Sequence, residues 1–268
     1  MDAIGSYSLK PFSKSRKNIT LILAEGKRKH VVYAFLELDV TDAREKIHQM
    51  KKQAKDISFT GWLVKCVGQT ASEHKELNCY RQGRHKIIEF EDVDIPVTVE
   101  RNADEELRPI PYIIRKVNEK SSKEITQEIR SVQQKHVSKK TQIMGLTLSK
   151  TEQLVLSSPQ FIKKMVLMIL RHQGKLKKKY MGTIGVTSIG MLGKFPGWVI
   201  PLGGPLNTLV AVGGITKKPG IVQDKTVPRE YLHVTIAVDH DLVDGGPLAR
   251  FVNRFTELVE NASFLETS

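Results

Sequence analysis

The feature that most constrains the fold is the C-terminal segment 231–262, where a strand pattern passes through a glycine-containing loop into a helix pattern. Residues 231–238 form an apolar run rich in β-branched side chains, which is typical of a buried strand. From Leu248 to Leu258 the apolar residues recur at helical spacing, which predicts an amphipathic helix. Such a helix must bury its apolar face, so this segment predicts a sheet covered by helices.

The same two patterns recur along the rest of the chain. Strand patterns occupy residues 30–40, 86–90, 95–100 and 109–117. Helix patterns follow an N-terminal entry segment, continue after Thr41 or Asp42 and after Thr60 as caps, and return at 121–134 and around 161–169. We find no internal repeat and no low-complexity linker. The pattern predicts a single mixed α/β domain over 1–268.

Composition narrows the class of protein. No apolar stretch approaches the roughly 20 residues that a membrane span needs, and the N-terminus has no signal-peptide pattern, so we expect a cytoplasmic protein. Cys66 and Cys79 are too few and wrongly spaced for a zinc site or a disulfide framework. We therefore expect no metal.

The net charge of +13 favours anionic partners in general without naming one. The basic residues are scattered through amphipathic segments, without the aromatic interleaving typical of nucleic-acid binding. The helix pattern near 161–169 and its basic tail allow two interpretations. Either the helix packs on the body with a solvated end, or it is exposed as a binding surface.

The segment VDHDLVDGG, residues 238–246, carries the clearest chemical signal. It places His240 at the end of an apolar strand, where rigid scaffolds usually hold catalytic groups. An imidazole is the side chain best suited to accept a proton near neutral pH. A histidine close to an aspartate is also a common structural pair, so spacing alone leaves both interpretations open.

This segment resembles the H-x-x-x-D-G signature shared by chloramphenicol acetyltransferase and the catalytic domain of the 2-oxoacid dehydrogenase (dihydrolipoamide) acyltransferases. The similarity extends along the chain in the right order. The glycine-rich run at 182–193 is similar to the family's G-T-F-T-I-S-N-L-G, and 59–80 is similar to the helix that ends in H-P-E-L-N-A. Residues 13–17 resemble the family's S-x-x-R-K opening, and 249–261 its closing helix.

The resemblance implies a chloramphenicol-acetyltransferase-like α/β fold, which is a two-layer α+β sandwich with a mixed sheet flanked by helices. It also implies a homotrimer with active sites between subunits. His240 would then be the general base, which takes a proton from a thiol as the thiol attacks an acyl carbon. Thr187 aligns with the hydroxyl residue that donates to the oxyanion, and Ser188 is the alternative if the register is off by one. In the family the histidine and the hydroxyl come from different subunits.

The remaining site residues that the resemblance implies are structural. Asp244 would fix the histidine loop by pairing with an arginine, for which Arg16 is the candidate, and Gly245 would serve the turn. The substrate would be coenzyme A in its acyl form, and the acceptor a dihydrolipoyl thiol or a related group. CoA-contacting residues are not assigned.

Three departures from the family pattern affect the expected partners. No lipoyl or peripheral-subunit-binding domain is recognised, so any lipoyl group is expected on another polypeptide. The stretch 133–172 is longer than the family's link and predicts an extended insert. The tail 263–268 is more polar than the family's C-terminal anchor, which leaves a larger cubic shell of trimers open.

Two other functions remain as alternatives. The missing lipoyl arm and the substituted glycine-rich segment suggest a catalytically idle trimeric scaffold, or a shell-forming subunit of a multienzyme assembly. The second alternative is a nucleic-acid-binding protein, which the basic charge of the chain suggests. The absence of a nucleic-acid-binding signature disfavours it. An intact His240, Asp244 and a hydroxyl at Thr187 favour the enzyme.

Overall fold

A computed structural model of the protein describes residues 4–103, 106–134, 142–143, 146–147, 149–190 and 195–265. Its helices are α1 (Lys14–Leu23), α2 (Thr41–Lys52), α3 (Phe59–Glu73), α4 (Ser122–Gln134), α5 (Lys150–Ser157), α6 (Gln160–Leu170), α7 (Gly174–Met181) and α8 (Gly245–Glu260). Its strands are β1 (Val31–Asp39), β2 (Cys79–Gln82), β3 (Lys86–Glu89), β4 (Ile95–Ala103), β5 (Glu106–Ile114), β6 (Gln142–Ile143), β7 (Leu146–Thr147), β8 (Ile184–Ser188), β9 (Thr208–Val222) and β10 (Lys225–Asp239).

The main sheet is mixed, as the sequence predicts. Its six strands run in the order β1-β10-β9-β8-β4-β5. The pairs β8–β9 and β4–β8 are parallel, whereas β1–β10, β9–β10 and β4–β5 are antiparallel. The central position of β8, and the pairing of β10 with β1, decide where the candidate site residues lie.

A layer of helices covers one face of the sheet. Helix α3 packs against α4 and α8, and Trp62, Phe251 and Phe255 are fully buried between helices and strands. The indole N–H of Trp62 donates to the carbonyl of Ser263 at 2.7 Å, so its polar atom is satisfied inside the core. Burying each of these aromatic side chains stabilises the fold by about 1.5–3 kcal/mol.

The helix predicted at 121–134 is confirmed. The Ser121 hydroxyl accepts from the backbone N–H of Glu124 at 3.2 Å, and the Glu124 carboxylate accepts from the Ser121 N–H at 2.8 Å. The expected cap at Thr60 is wrong, because the Ser58 hydroxyl accepts from the N–H of Gly61 at 3.0 Å and the helix begins earlier.

Strand β9 is 15 residues long and contains several glycines. Its glycines form a bulge, in which Gly213 and Gly214 both lie opposite His233 of β10. A Cβ on Gly214 would lie 1.5 Å from the carbonyl oxygen of Phe195. Glycine is therefore required there because a preceding loop packs directly onto the strand.

The predicted insert at 133–172 is described only in part, since 135–141, 144–145 and 148 lie outside the described residues. Its later half forms α5 and α6. Helix α6 has no fully buried residue, and Phe161 is 70% exposed. The helix contacts α5 and α7 and also exposes apolar side chains, so both interpretations of it stay open.

Candidate active site

His240 lies directly after the last residue of β10, at the edge of the sheet next to β1. Its backbone N–H donates to the carbonyl of His30 at 2.8 Å, which anchors the loop to the start of β1. The imidazole itself is 47% exposed. The ring is therefore held at the protomer surface, where another molecule or subunit can reach it.

Asp244 is the N-cap residue of α8, four positions after His240. Its Oδ1 atom lies 4.0 Å from Nδ1 of His240, and its side chain is 87% exposed. Water screens a pair this exposed, so the contact contributes little to the stability of the loop.

Arg16 lies in the first turn of α1, which Ser13 caps by accepting from the Arg16 N–H at 3.2 Å. Within the described residues no ion pair joins Arg16 to Asp244. The protomer thus brings Asp244 to His240 and, among the described residues, does not pair Arg16 with Asp244. The pair that the resemblance implies stays a prediction for an assembled protein.

Gly245 is the first residue of α8 and does not have a left-handed backbone. A Cβ added there would meet no atom within 4 Å. The turn inside the protomer therefore does not itself require glycine at this position.

Thr187 and Ser188 are neighbours on β8 and face opposite sides of the sheet. Ser188 shares its side with Val186, and both line a small cavity beneath the first turn of α3. Thr187 projects from the side away from the helix layer. Only Thr187 is thus offered to whatever contacts the uncovered face.

The strand register separates Thr187 from His240 within one protomer. Thr187 pairs with Ala211 of β9, which pairs with Thr235 of β10. His240 lies five residues beyond Thr235, which corresponds to roughly 16 Å along the sheet. A base and an oxyanion donor must both reach one acyl carbon, so a single protomer does not assemble them.

Sequence reasoning missed the partner of the histidine loop. Nδ1 of His30 lies 2.8 Å from Oδ1 of Asp241, and this hydrogen bond raises the pKa of His30 above its ordinary value. His30 precedes a strand pattern but carries no motif of its own. Its contact with Asp241 follows from the pairing of β1 with β10, which separation in sequence conceals.

A second group behind the loop is also absent from the sequence predictions. Nζ of Lys29 lies 3.7 Å from Oδ2 of Asp239 and 3.2 Å from Oδ1 of Asn207, and it also donates to the carbonyl of Leu206. Burial lowers the pKa of Lys29 to about 8. These contacts tie the residue just before His240 to the segment that precedes β9.

The two cysteines, Cys66 and Cys79, are free and buried. Burial raises the pKa of the Cys79 thiol to about 12, so it stays protonated. Across the described ranges, no cluster of three His, Cys, Asp or Glu side chains has the geometry of a metal site. Nor does any helix in those ranges combine the length and apolarity that a bilayer span requires.

A family model described as 2-oxoacid dehydrogenases acyltransferase (catalytic domain) matches residues 5–150 and 161–266. The lipoamide acyltransferase component of the branched-chain alpha-keto acid dehydrogenase complex of Bacillus subtilis is 23% identical over 237 residues, covering 85% of this chain and 46% of that protein. The corresponding mitochondrial component of Arabidopsis thaliana is 37% identical over 86 residues, covering 31% of this chain and 17% of that protein. The chain thus spans about half or less of the length of the curated relatives it matches.

Solved structures share the fold. A probable dihydrolipoamide acetyltransferase from Listeria monocytogenes has a TM-score of 0.70 at 22% identity, covering 99% of both chains. The dihydrolipoamide acetyltransferase of Azotobacter vinelandii has a TM-score of 0.68 at 17% identity, covering 97% of this chain and 94% of that one.

Proposed function

Because the chain belongs to the family of 2-oxoacid dehydrogenase acyltransferase catalytic domains, we propose that it moves an acyl group between coenzyme A and a dihydrolipoyl thiol or a related acceptor. The relatives it matches are named lipoamide and dihydrolipoyllysine-residue acyltransferases. In either direction this reaction exchanges one thioester for another. It therefore needs a base for the proton of the attacking thiol and a hydrogen-bond donor for the oxyanion.

The observation that carries the proposal is the position of His240. The ring follows a buried strand, is fixed through its backbone by His30, and remains 47% exposed. In its neutral form the imidazole removes the proton of the attacking thiol and later returns it to the leaving thiolate. Such a general base contributes typically about 10²–10⁴ in rate.

Thr187 is the proposed oxyanion donor, with Ser188 as the alternative. Its hydroxyl supplies the donor that a serine supplies in the family pattern. The side chain of Thr187 projects from the uncovered face of the sheet, which supports its assignment as the donor, whereas Ser188 faces α3.

The separation of Thr187 from His240 along the sheet supports an active site shared between subunits. We therefore propose a homotrimer in which His240 of one subunit faces Thr187 of the next. In the assembled protein Arg16 and Gly245 would support the histidine loop. Assembly of trimers into a larger cubic shell is a further proposal, which the fold shared with the cubic core of a pyruvate dehydrogenase complex motivates.

The test compares His240→Ala with His48→Ala, whose exposed imidazole lies on α2 away from the loop. Acyl transfer from acetyl-CoA and longer acyl-CoAs to free dihydrolipoamide is measured, with native mass recorded for each variant. We expect H240A to lose at least about 10² in rate while keeping the trimer, and H48A to match the wild type.

Transfer by H240A at the wild-type rate would refute the assignment of the base. Trimers without transfer from any acyl-CoA, in wild type and variant alike, would leave the idle scaffold as the function.

A further inference from the structure

A cavity of about 360 Å³ lies beside the His240 loop, within one protomer. Its walls are the segment before β1, the β2–β3 hairpin, helices α6 and α7, and the residues Asp239, Asp241 and Leu242 on either side of His240. The His240 ring itself is not part of the wall. The volume of the cavity falls within the range of pockets that hold small ligands.

Lys177 of α7 lines this cavity although its side chain is only 6% exposed. Its ammonium lies 4.2 Å from the centre of the Tyr80 ring. Within the described part of the chain no carboxylate lies within ion-pair distance of this ammonium, and it donates no hydrogen bond. A buried ammonium with unused donors is costly, so an acceptor from outside the protein would fit it.

The acidic side chains of the wall are all paired with basic ones, and several basic side chains are left over. Glu25 binds Arg171 with two hydrogen bonds, at 2.6 and 2.9 Å, while Asp239 and Asp241 face Lys29 and His30. The remaining cations of the wall have no ion pair among the described residues; they are Arg28, Arg81, Arg84, Lys86 and Lys177. This excess suits an anion with more than one charge.

We propose that the cavity binds a phosphorylated small molecule, whose phosphate accepts from Lys177 while the arginines of the rim hold the remaining charge. Lysine binds phosphate as a point charge, and arginine as a planar fork. Neither His240 nor Thr187 belongs to the wall of the cavity, so we take its ligand to be separate from the acyl donor. Where the proposed function holds, the ligand acts on it through Asp239 and Asp241, which flank the base.

The ionisation of Lys177 gives the binding a pH dependence. Burial and the nearby Lys29 lower the pKa of Lys177 to about 7, against the opposing effects of Asp239, Glu25 and Cys79. The empty site is thus partly neutral at pH 7, and the ligand must bind the protonated form. Affinity therefore falls as pH rises above 7, by up to about tenfold per pH unit.

Inorganic pyrophosphate is the probe, and isothermal titration calorimetry on the whole chain is the measurement. Lys177→Met removes the ammonium and keeps most of the volume. Lys175→Met makes the same change at an exposed position of the same helix. We expect K177M to bind at least about tenfold more weakly than the wild type and to lose the fall in affinity above pH 7, whereas K175M matches the wild type.

The binding assay needs no turnover, so it stands apart from the proposed function. Pyrophosphate should still bind H240A, and saturating acetyl-CoA should not displace it from the wild type. If K177M fails to fold, the exposed double variant Arg84→Gln/Lys86→Gln should bind about threefold more weakly at low ionic strength. A pyrophosphate affinity of K177M equal to that of the wild type would overturn the second site. Where K177M is unfolded, a wild-type affinity of the double variant would do the same. Displacement of pyrophosphate by acetyl-CoA would also overturn it.

Discussion

At the residue scale, Thr187 and Ser188 show how strand geometry separates two adjacent hydroxyls. Val186 and Ser188 face the helix layer, whereas Thr187 faces the side that the protomer leaves uncovered. An oxyanion donor must point at the substrate. Because the two hydroxyls face opposite sides of the sheet, only one of them can serve a substrate bound on a given face, although the residues are neighbours in sequence.

Thr187→Val keeps the shape of the side chain and removes its hydroxyl. We expect the rate of acyl transfer to fall by about 10²–10³ in kcat, with little change in the free energy of unfolding. Thr187→Ser keeps the donor and should stay within about tenfold of the wild type. Steady-state kinetics on both variants and on Ser188→Ala check this; a larger loss in S188A would move the role to Ser188.

The residues of the two candidate sites differ in how far the sequence could reveal them. His240 follows a recognisable strand and lies in a recognisable motif. Lys177 does not stand out, because it lies in the run KLKKK, where lysines are expected to be solvated. Its burial depends on Tyr80 and the β2–β3 hairpin, which pack against α7 from a distant part of the chain.

At the scale of elements, the order of strands and helices was largely predictable because their hydrophobic periods differ. Pairing was not, because the sheet order β1-β10-β9-β8-β4-β5 joins segments far apart in sequence. The bulge at Gly213 and Gly214 was also hidden. It exists because the loop through Phe195 and Gly197 packs on β9, a contact that no local pattern indicates.

The contact between α3 and α8 includes an ion pair that responds to pH. Arg254 Nε donates to Glu73 at 2.6 Å, and this hydrogen bond lowers the pKa of Glu73 below its ordinary value of 4.5. A carboxylate with a lowered pKa stabilises the fold above its unfolded pKa, and the contribution is lost as pH falls through the folded pKa.

We expect Glu73→Gln to lower the free energy of unfolding by about 0.5 kcal/mol at pH 7. The difference from the wild type should vanish well below pH 4, where both side chains are neutral. Urea denaturation at several pH values measures it, with Glu45→Gln at an exposed position of α2 as the control. An undiminished difference in acid would show that the effect is not electrostatic.

At the scale of the whole molecule, the protomer leaves apolar side chains uncovered. Phe35 of the edge strand β1 is 51% exposed, and Trp198, 40% exposed, packs edge-on against it at 6.3 Å between ring centres. Apolar groups of this kind on a protein surface are typical of subunit contacts. Together with the separation of Thr187 from His240, they motivate the proposed trimer.

Mixing two inactive variants tests whether subunits share the site. H240A and T187V subunits, denatured together in equal amounts and refolded, form trimers in which some interfaces pair an intact His240 with an intact Thr187. We expect about a quarter of the wild-type rate in a random mixture of cyclic trimers. Each variant refolded alone is the control, and a mixture no more active than they are would place both groups in one subunit.

The pairing of β1 with β10 has a consequence for biosynthesis. Val31 leaves the ribosome 208 residues before Asp239, its partner in the sheet, and contacts this distant in sequence form slowly. Until then β1, whose one strand neighbour among the described residues is β10, presents unpaired backbone groups to other nascent chains, the situation that favours aggregation. The strand that pairs with β1 ends at Asp239, directly before His240, so translation completes the protection of this edge and of the His240 loop together.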